Sequence, residues 1–168
     1  MSDIWVPWGS LRPRVEVKAD KVDCFVCDKH AQGSSAPGGV IYEDDLMYVG
    51  HILPPDLLDV YLGYVMVEPK RHLGGLGELT GDEASALGVL INKVARALND
   101  SEGAEHIYSF VMGDHVSHLH VHLVPRYPGT PREYWGVHVG DWPNAPRGGV
   151  GEIEAVCGRL REALAASA

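Results

Sequence analysis

No stretch of the 168 residues approaches the roughly 20 consecutive apolar side chains that a bilayer-spanning helix needs. The opening MSDIWVPWGSLRPR holds no apolar core of the kind that marks a secretory signal. Together these absences predict a cytoplasmic protein with no membrane contact. Basic residues are scarce: 14 Lys and Arg stand against 23 Asp and Glu, a net charge of −9. An acidic surface repels phosphate backbones, which argues against nucleic acid as a partner. It leaves room for a small anionic substrate held by a local cluster of N–H donors. Cysteine is short and odd in number, three in all, so no disulfide framework is expected. There is no internal repeat. Gly74–Gly75–Leu76–Gly77 lacks both the Lys–Ser/Thr of a P-loop and the Rossmann spacing, and reads as a turn.

What is present is ordinary globular composition, 45% apolar and 22% charged, in about one domain's worth of chain. Val40–Ile41–Tyr42 and Leu46–Met47–Tyr48–Val49 read as two strands around an acidic turn, and residues 60–67 as a third strand ending at Pro69. Thr80 followed by Glu83 is a capping box. After it, Leu87, Leu90, Ile91, Val94 and Leu98 recur at helical spacing until residues 99–103 close the helix. Residues 106–112 and 117–124 are two further strands. Residues 126–149, rich in proline and carrying Trp135 and Trp142, form a long ordered loop or lid. A last amphipathic helix over 152–165 lines up Ile153, Val156, Cys157, Leu160 and Leu164. Strands on both sides of one central helix predict an α+β fold with a mainly antiparallel sheet.

His118–Leu119–His120–Val121–His122–Leu123 carries the chemistry. Side chains alternate faces in a strand, so three imidazoles share one face while Leu119, Val121 and Leu123 share the other. Residues i and i+4 of a strand lie about 13–14 Å apart, too far for one metal bound through bonds of about 2.0–2.1 Å to three rings of a straight strand. The geometry favours a division of labour. A neutral imidazole, with an ordinary pKa of about 6.5, is a nucleophile at neutral pH if one ring nitrogen is free and the other is held by an acceptor. A second imidazole then assists as hydrogen-bond donor or acid. Cys24 and Cys27 form a C-x-x-C pair with three open readings: zinc ligands, a redox pair or buried thiols. The redox reading fits poorly, because it expects the start of a helix in a βαβ unit, whereas this pair precedes the Gly/Ser-rich stretch 31–39.

The run H-L-H-V-H-L-V resembles the signature of the histidine triad (HIT) superfamily. Val67–Glu68–Pro69–Lys70–Arg71–His72 resembles that family's V-x-P-K-x-H, Ile41–Tyr42–Glu43–Asp44–Asp45 its opening hairpin, and Cys24–Phe25–Val26–Cys27 the C-x-x-C of many bacterial members. The resemblance implies a HIT-like fold with one long central helix and a C-terminal helix, the sheet continuing across a homodimer. It divides the chain into an N-terminal arm (1–21), a HIT domain (22–128) and a C-terminal extension (129–168) packing on the domain or on the dimer partner. It implies a nucleotidyl hydrolase or transferase that cleaves a phosphoramidate or phosphoanhydride at the α-phosphorus of a small-molecule nucleotide. His120 would form the nucleotidyl-histidine and His122 would steady the phosphate oxygens or the leaving group. Gly113, Asp114, His115 and Val116 would present backbone N–H groups to the phosphate. His51 takes the place of a ribose-binding residue, with an insertion over 52–60 beside it. The zinc-bearing branch implies a structural zinc on Cys24, Cys27, His72 and His118; His30, three residues past Cys27, is a local substitute for His72, and no organic cofactor is expected.

The chain departs from the family where Asp114 and His115 replace the usual polar pair ahead of the triad, which leaves base and leaving group open. Two other readings stand beside the hydrolase. One is a non-catalytic, zinc-stabilised nucleotide-binding dimer. The other is a metal-dependent hydrolase with triad histidines as ligands, weakened because the first acidic residue after His122 is Glu133.

Overall fold

A computed structural model describes residues 24–32, 36–52, 59–114 and 116–166. The N-terminal arm expected over 1–21 and His115 lie outside the described residues. Three α-helices, α1 (Phe25–Gln32), α2 (Gly81–Glu102) and α3 (Val150–Ala166), accompany seven strands. These are β1 (Val40–Glu43), β2 (Met47–His51), β3 (Val60–Tyr61), β4 (Val65–Pro69), β5 (His106–Phe110), β6 (Val121–Arg126) and β7 (Arg147–Gly148). Five strands form one sheet in the order β1-β2-β4-β6-β5, antiparallel at every pairing. This is the α+β architecture expected from the sequence. Among the described residues no helix is long and apolar enough to cross a membrane.

Register divides the sheet into two faces. Val65 pairs with Leu123 and Val67 with Val121, and these side chains join Met47, Val49 and Ile41 in the main core. Leu87, Leu90, Val94 and Leu98 of α2 and Ile153, Val156, Cys157, Leu160 and Leu164 of α3 pack onto that face. Burial of each such side chain contributes about 1.5–3 kcal/mol before conformational entropy opposes it. Residues of the opposite parity, Met66 with His122 and Phe110 with His122, face the other way. The loop before β1 passes close over α3. A Cβ at Gly38 would sit 2.4 Å from Cys157 Sγ, and its φ of 81° is one that only glycine adopts readily.

The start of α2 is fixed as its sequence predicts. Thr80 accepts from the Glu83 N–H, and the Glu83 carboxylate accepts from the Thr80 N–H at 2.8 Å. Arg71 adds two bonds of 2.7 Å to the same carboxylate. Gly103 closes the helix in the left-handed region.

Three segments differ from the sequence expectation, and to a fourth, after Cys24, the sequence reading assigns no element. The stretch after Cys24 is a helix of eight residues, α1. The strand expected over 60–67 is cut at Gly63, whose φ is 78°, so that β3 leaves the main sheet and pairs with β7. The strand expected over 117–124 begins only at Val121. The lid expected over 126–149 resolves into two 3-10 turns (Arg132–Tyr134 and Gly136–Asp141) and β7. Its Val139 and Ala145 bury against Tyr61 and Val124, with Trp142 packed alongside.

Candidate functional site

Two neighbouring clusters occupy the start of β6. Four imidazoles belong to them, His72 and the three triad rings, and each triad ring has a different partner.

His118 lies just ahead of the strand, 1% exposed. Its Nε2 is 2.8 Å from the carbonyl oxygen of Pro69. A carbonyl only accepts, so Nε2 carries the proton and Nδ1 keeps a lone pair. That lone pair faces Cys24 Sγ at 3.6 Å and Cys27 Sγ at 3.5 Å. His72 Nδ1 stands 3.4 Å from Cys27 Sγ. All four ligand atoms lie within 4.8 Å of one another. Zinc bonds of about 2.3 Å to sulfur and about 2.05 Å to nitrogen at tetrahedral angles place sulfur and nitrogen about 3.6 Å apart. The three sulfur–nitrogen separations, 3.4 to 3.6 Å, match that spacing. Burial and then the neighbouring Cys24 push the Cys27 thiol up to about 11, so this thiol resists ionising unless a cation offsets the charge. Burial also lowers the His118 pKa, which favours the neutral, lone-pair form that a metal requires. The donor set fits a structural zinc ion.

His30 does not join this cluster. Its Nε2 lies 2.8 Å from Glu68 Oε2, and Lys29 Nζ lies 2.7 Å from the same carboxylate. Glu68 is 2% exposed. Burial alone would raise its pKa, but the hydrogen bond from His30 and the charge of Lys29 outweigh that and hold it below the usual carboxylate range. Two consecutive side chains of α1 thus clamp the helix to β4. This clamp is not legible in the residue pattern, because Glu68 occupies the variable position of a strand motif and looks like a solvated residue.

His120 holds its Nδ1 2.7 Å from the carbonyl oxygen of His118. Nδ1 is therefore the protonated nitrogen, and Nε2 has the lone pair a nucleophile needs. The His122 ring centroid is 4.7 Å away. Phe110 stacks on His122 at 5.0 Å and 18°, and Tyr64 Oη is 2.7 Å from His122 Nδ1. Burial first, and then a charged His120, push the His122 pKa down to about 4, so His122 is neutral at physiological pH. Its Nε2 is buried and has no partner among the described residues.

The remaining sequence candidates fall elsewhere. Gly113, Asp114 and Val116 lie in the connection from β5 to His118, Gly113 with a left-handed φ of 72° and both Gly113 and Asp114 exposed. His51, expected at the ribose, is corrected by register. It pairs with Val65, on the helix-covered face and away from His122. Its Nδ1 bonds the Ile52 carbonyl at 2.8 Å, and its Nε2 accepts from the Gly63 N–H at 3.0 Å, so neither nitrogen is left for a substrate. Trp135 packs under the Arg126 guanidinium at 3.9 Å, while Trp142 belongs to the cluster around Val124.

Comparison with known proteins agrees with this geometry. The family model described as "HIT domain" matches residues 34–129. The protein hit of Bacillus subtilis is 29% identical over 111 residues, 62% of this chain and 72% of the relative. The adenosine 5'-monophosphoramidase hnt1 of Schizosaccharomyces pombe is 27% identical over 92 residues, 54% of this chain and 65% of the relative. The crystal structure of a zinc-bound histidine triad family protein from Mycobacterium smegmatis shares the fold. Its TM-score is 0.64 at 22% identity, over 86% of this chain and 95% of that one.

Proposed function

The chain belongs to the histidine triad family, and from that premise we propose that it is a nucleotidyl hydrolase or transferase acting on a small nucleotide through a covalent adduct on His120. The observation that carries this reading is the pairing of two complementary nitrogens. His120 offers a lone pair on Nε2 because its Nδ1 is tied to the His118 carbonyl, and 4.7 Å away between ring centres His122 keeps a buried nitrogen without a partner. His120 Nε2 bonds to the α-phosphorus as the bond to the leaving group breaks, and the leaving group departs with the electron pair and takes up a proton. The imidazolium so formed keeps its Nδ1–H on the His118 carbonyl, which strengthens as charge develops. Water then attacks phosphorus and gives up a proton to solvent, the P–N bond breaks, its electron pair returns to Nε2, and the nucleoside monophosphate leaves.

Cys24, Cys27, His72 and His118 would hold a structural zinc, which would supply a fixed anchor for α1 and for the residue preceding the triad strand. No step above passes through it. The acidic surface supports a free nucleotide over nucleic acid as the partner; a cytoplasmic site of action belongs to the same reading. The sheet edge at β5 supports a homodimer. The division into an arm, a HIT domain over 22–128 and an extension from 129 belongs to the same reading.

Adenosine phosphoramidate, diadenosine polyphosphates and nucleotide sugars offered separately should yield a mononucleotide with at least one class. His120→Ala should lower kcat by on the order of a thousandfold or more. Intact mass spectrometry of quenched wild-type protein should show a nucleotidyl adduct that His120→Ala lacks. Nucleotide binding without turnover of any class would instead favour a non-catalytic binding protein.

A further inference from the structure

His122 has one nitrogen satisfied and one stranded. Nε2 is enclosed without a partner among the described residues, an arrangement that folded chains keep at functional sites and rarely elsewhere. Nδ1 lies 2.7 Å from Tyr64 Oη. Among the described residues that phenol has no other partner, so its proton has a single acceptor, the lone pair of Nδ1. A neutral imidazole that accepts at Nδ1 must carry its hydrogen on Nε2. Phe110 lies flat against the ring at 5.0 Å and 18°, which fixes its plane.

We propose that Tyr64 is a positioning residue. By donating to Nδ1 it selects the Nε2–H tautomer of His122 and so turns that ring into a fixed hydrogen-bond donor aimed at the phosphoryl group. This inference rests on the nucleotidyl-transfer reading for its purpose, but not for its geometry. Burial pushes the Tyr64 phenol up to about 12, so the hydroxyl remains a donor across the neutral range.

The support behind Tyr64 is equally specific. It follows Gly63, whose N–H is held by His51 Nε2 at 3.0 Å, and its own carbonyl accepts from Ile52 N–H at 2.8 Å. Just before it, β3 is secured by pairing with β7 and by the Tyr127 hydroxyl on the Leu62 carbonyl at 3.0 Å. His51 therefore acts on the site through Gly63 and Tyr64. Donor alignment of this kind matters because a donor that is already oriented needs no reorganisation when charge grows on phosphorus-bound oxygen.

The test uses the full chain with 15N-labelled histidine, the His122 ring being assigned with His122→Asn. In the wild type at neutral pH, Nε2 should resonate as the protonated nitrogen and Nδ1 as the bare one. In Tyr64→Phe, which keeps the ring and its packing, the pattern should move towards a mixture of tautomers. If adenosine phosphoramidate or another of the three substrate classes is turned over, kcat in Tyr64→Phe should fall about tenfold or more while KM stays within about twofold. A wild-type ring protonated on Nδ1 overturns the proposal, even if the variant does not fold. So does an unchanged tautomer in Tyr64→Phe, or a changed tautomer with unchanged kcat. The expected spectra without turnover of any substrate class would support the tautomer assignment and count against the nucleotidyl-transfer reading alone.

Discussion

A single imidazole is defined by what its second nitrogen touches. The three triad rings are chemically identical, yet a carbonyl on Nε2 leaves His118 a lone pair on Nδ1 facing the two cysteines, and a carbonyl on Nδ1 leaves His120 its lone pair on Nε2. The strand alternation made the pair His120 and His122 readable from sequence, but not these partners, which come from Pro69 and from the strand's own preceding turn. His51 was misread for a related reason. Parity places it opposite Val65, and register is a property of pairing that one strand's residues do not state. Tyr64 was overlooked because an aromatic residue in an apolar run looks like core. At this scale the prediction concerns the four candidate ligands and the clamp beside them. Wild-type protein purified without chelator should contain about one zinc per chain by elemental analysis, and Cys24→Ser should lose it. Glu68→Gln leaves all four ligands in place but weakens the hold of Lys29 and His30 on β4. Its zinc affinity should drop by about tenfold. Metal-free wild-type protein, or a Glu68→Gln variant with unchanged affinity, would refute the respective claim.

At the scale of elements, what could be read followed from local signals strong enough to act alone. The capping box and a stripe of five apolar residues marked α2. In α1, eight residues carry little amphipathic pattern, and isolated helices of that length are unstable in water. This one persists through the Glu68 clamp and the cysteine cluster, both made of residues distant in sequence. The junction of β4 with α2 yields a pH prediction. Arg71, and then the Thr80 N–H, hold the Glu83 carboxyl down to about 2. Its folded pKa lies below the unfolded value of about 4.3, so its stabilisation is complete above the unfolded value and disappears as pH falls through the folded one. The Tm difference between wild type and Glu83→Gln should be constant above about pH 5 and shrink steadily between pH 5 and 2. A difference independent of pH would mean that Arg71 and Thr80 do not depend on the ionised form. Because Arg71 adjoins His72, the same ion pair also steadies the approach of one cysteine-cluster residue.

The five-stranded sheet carries α2 and α3 on one face and α1, with the histidine and cysteine clusters, on the other. The α+β class of the molecule was legible because the order of strands and helices is itself a topological signal. The layering of residues 129–148 was not, since the burial of Val139, Trp142 and Ala145 depends on Tyr61 and Val124 rather than on any pattern of their own. At one side the sheet ends in β5, where His106 and Ser109 are exposed. Val89, 55% exposed on α2, lies along the groove between α2 and β5. An unpaired strand edge beside an apolar helix position is a natural place for a second copy to dock. The homodimer should therefore form there. Light scattering should give the mass of two chains for the wild type, and Val89→Glu should shift it towards one. A dimer indifferent to that change would place the interface elsewhere.

The β3–β7 pairing carries a practical corollary. Residues 34–129, the span that looks like the complete family unit, stop short of Arg147 and Gly148. A chain cut at that limit would keep all three triad rings and yet strip the backing from the short strand that leads into the tyrosine beside them. The structure that backs Tyr64 thus reaches beyond the matched family span, to Arg147 and Gly148.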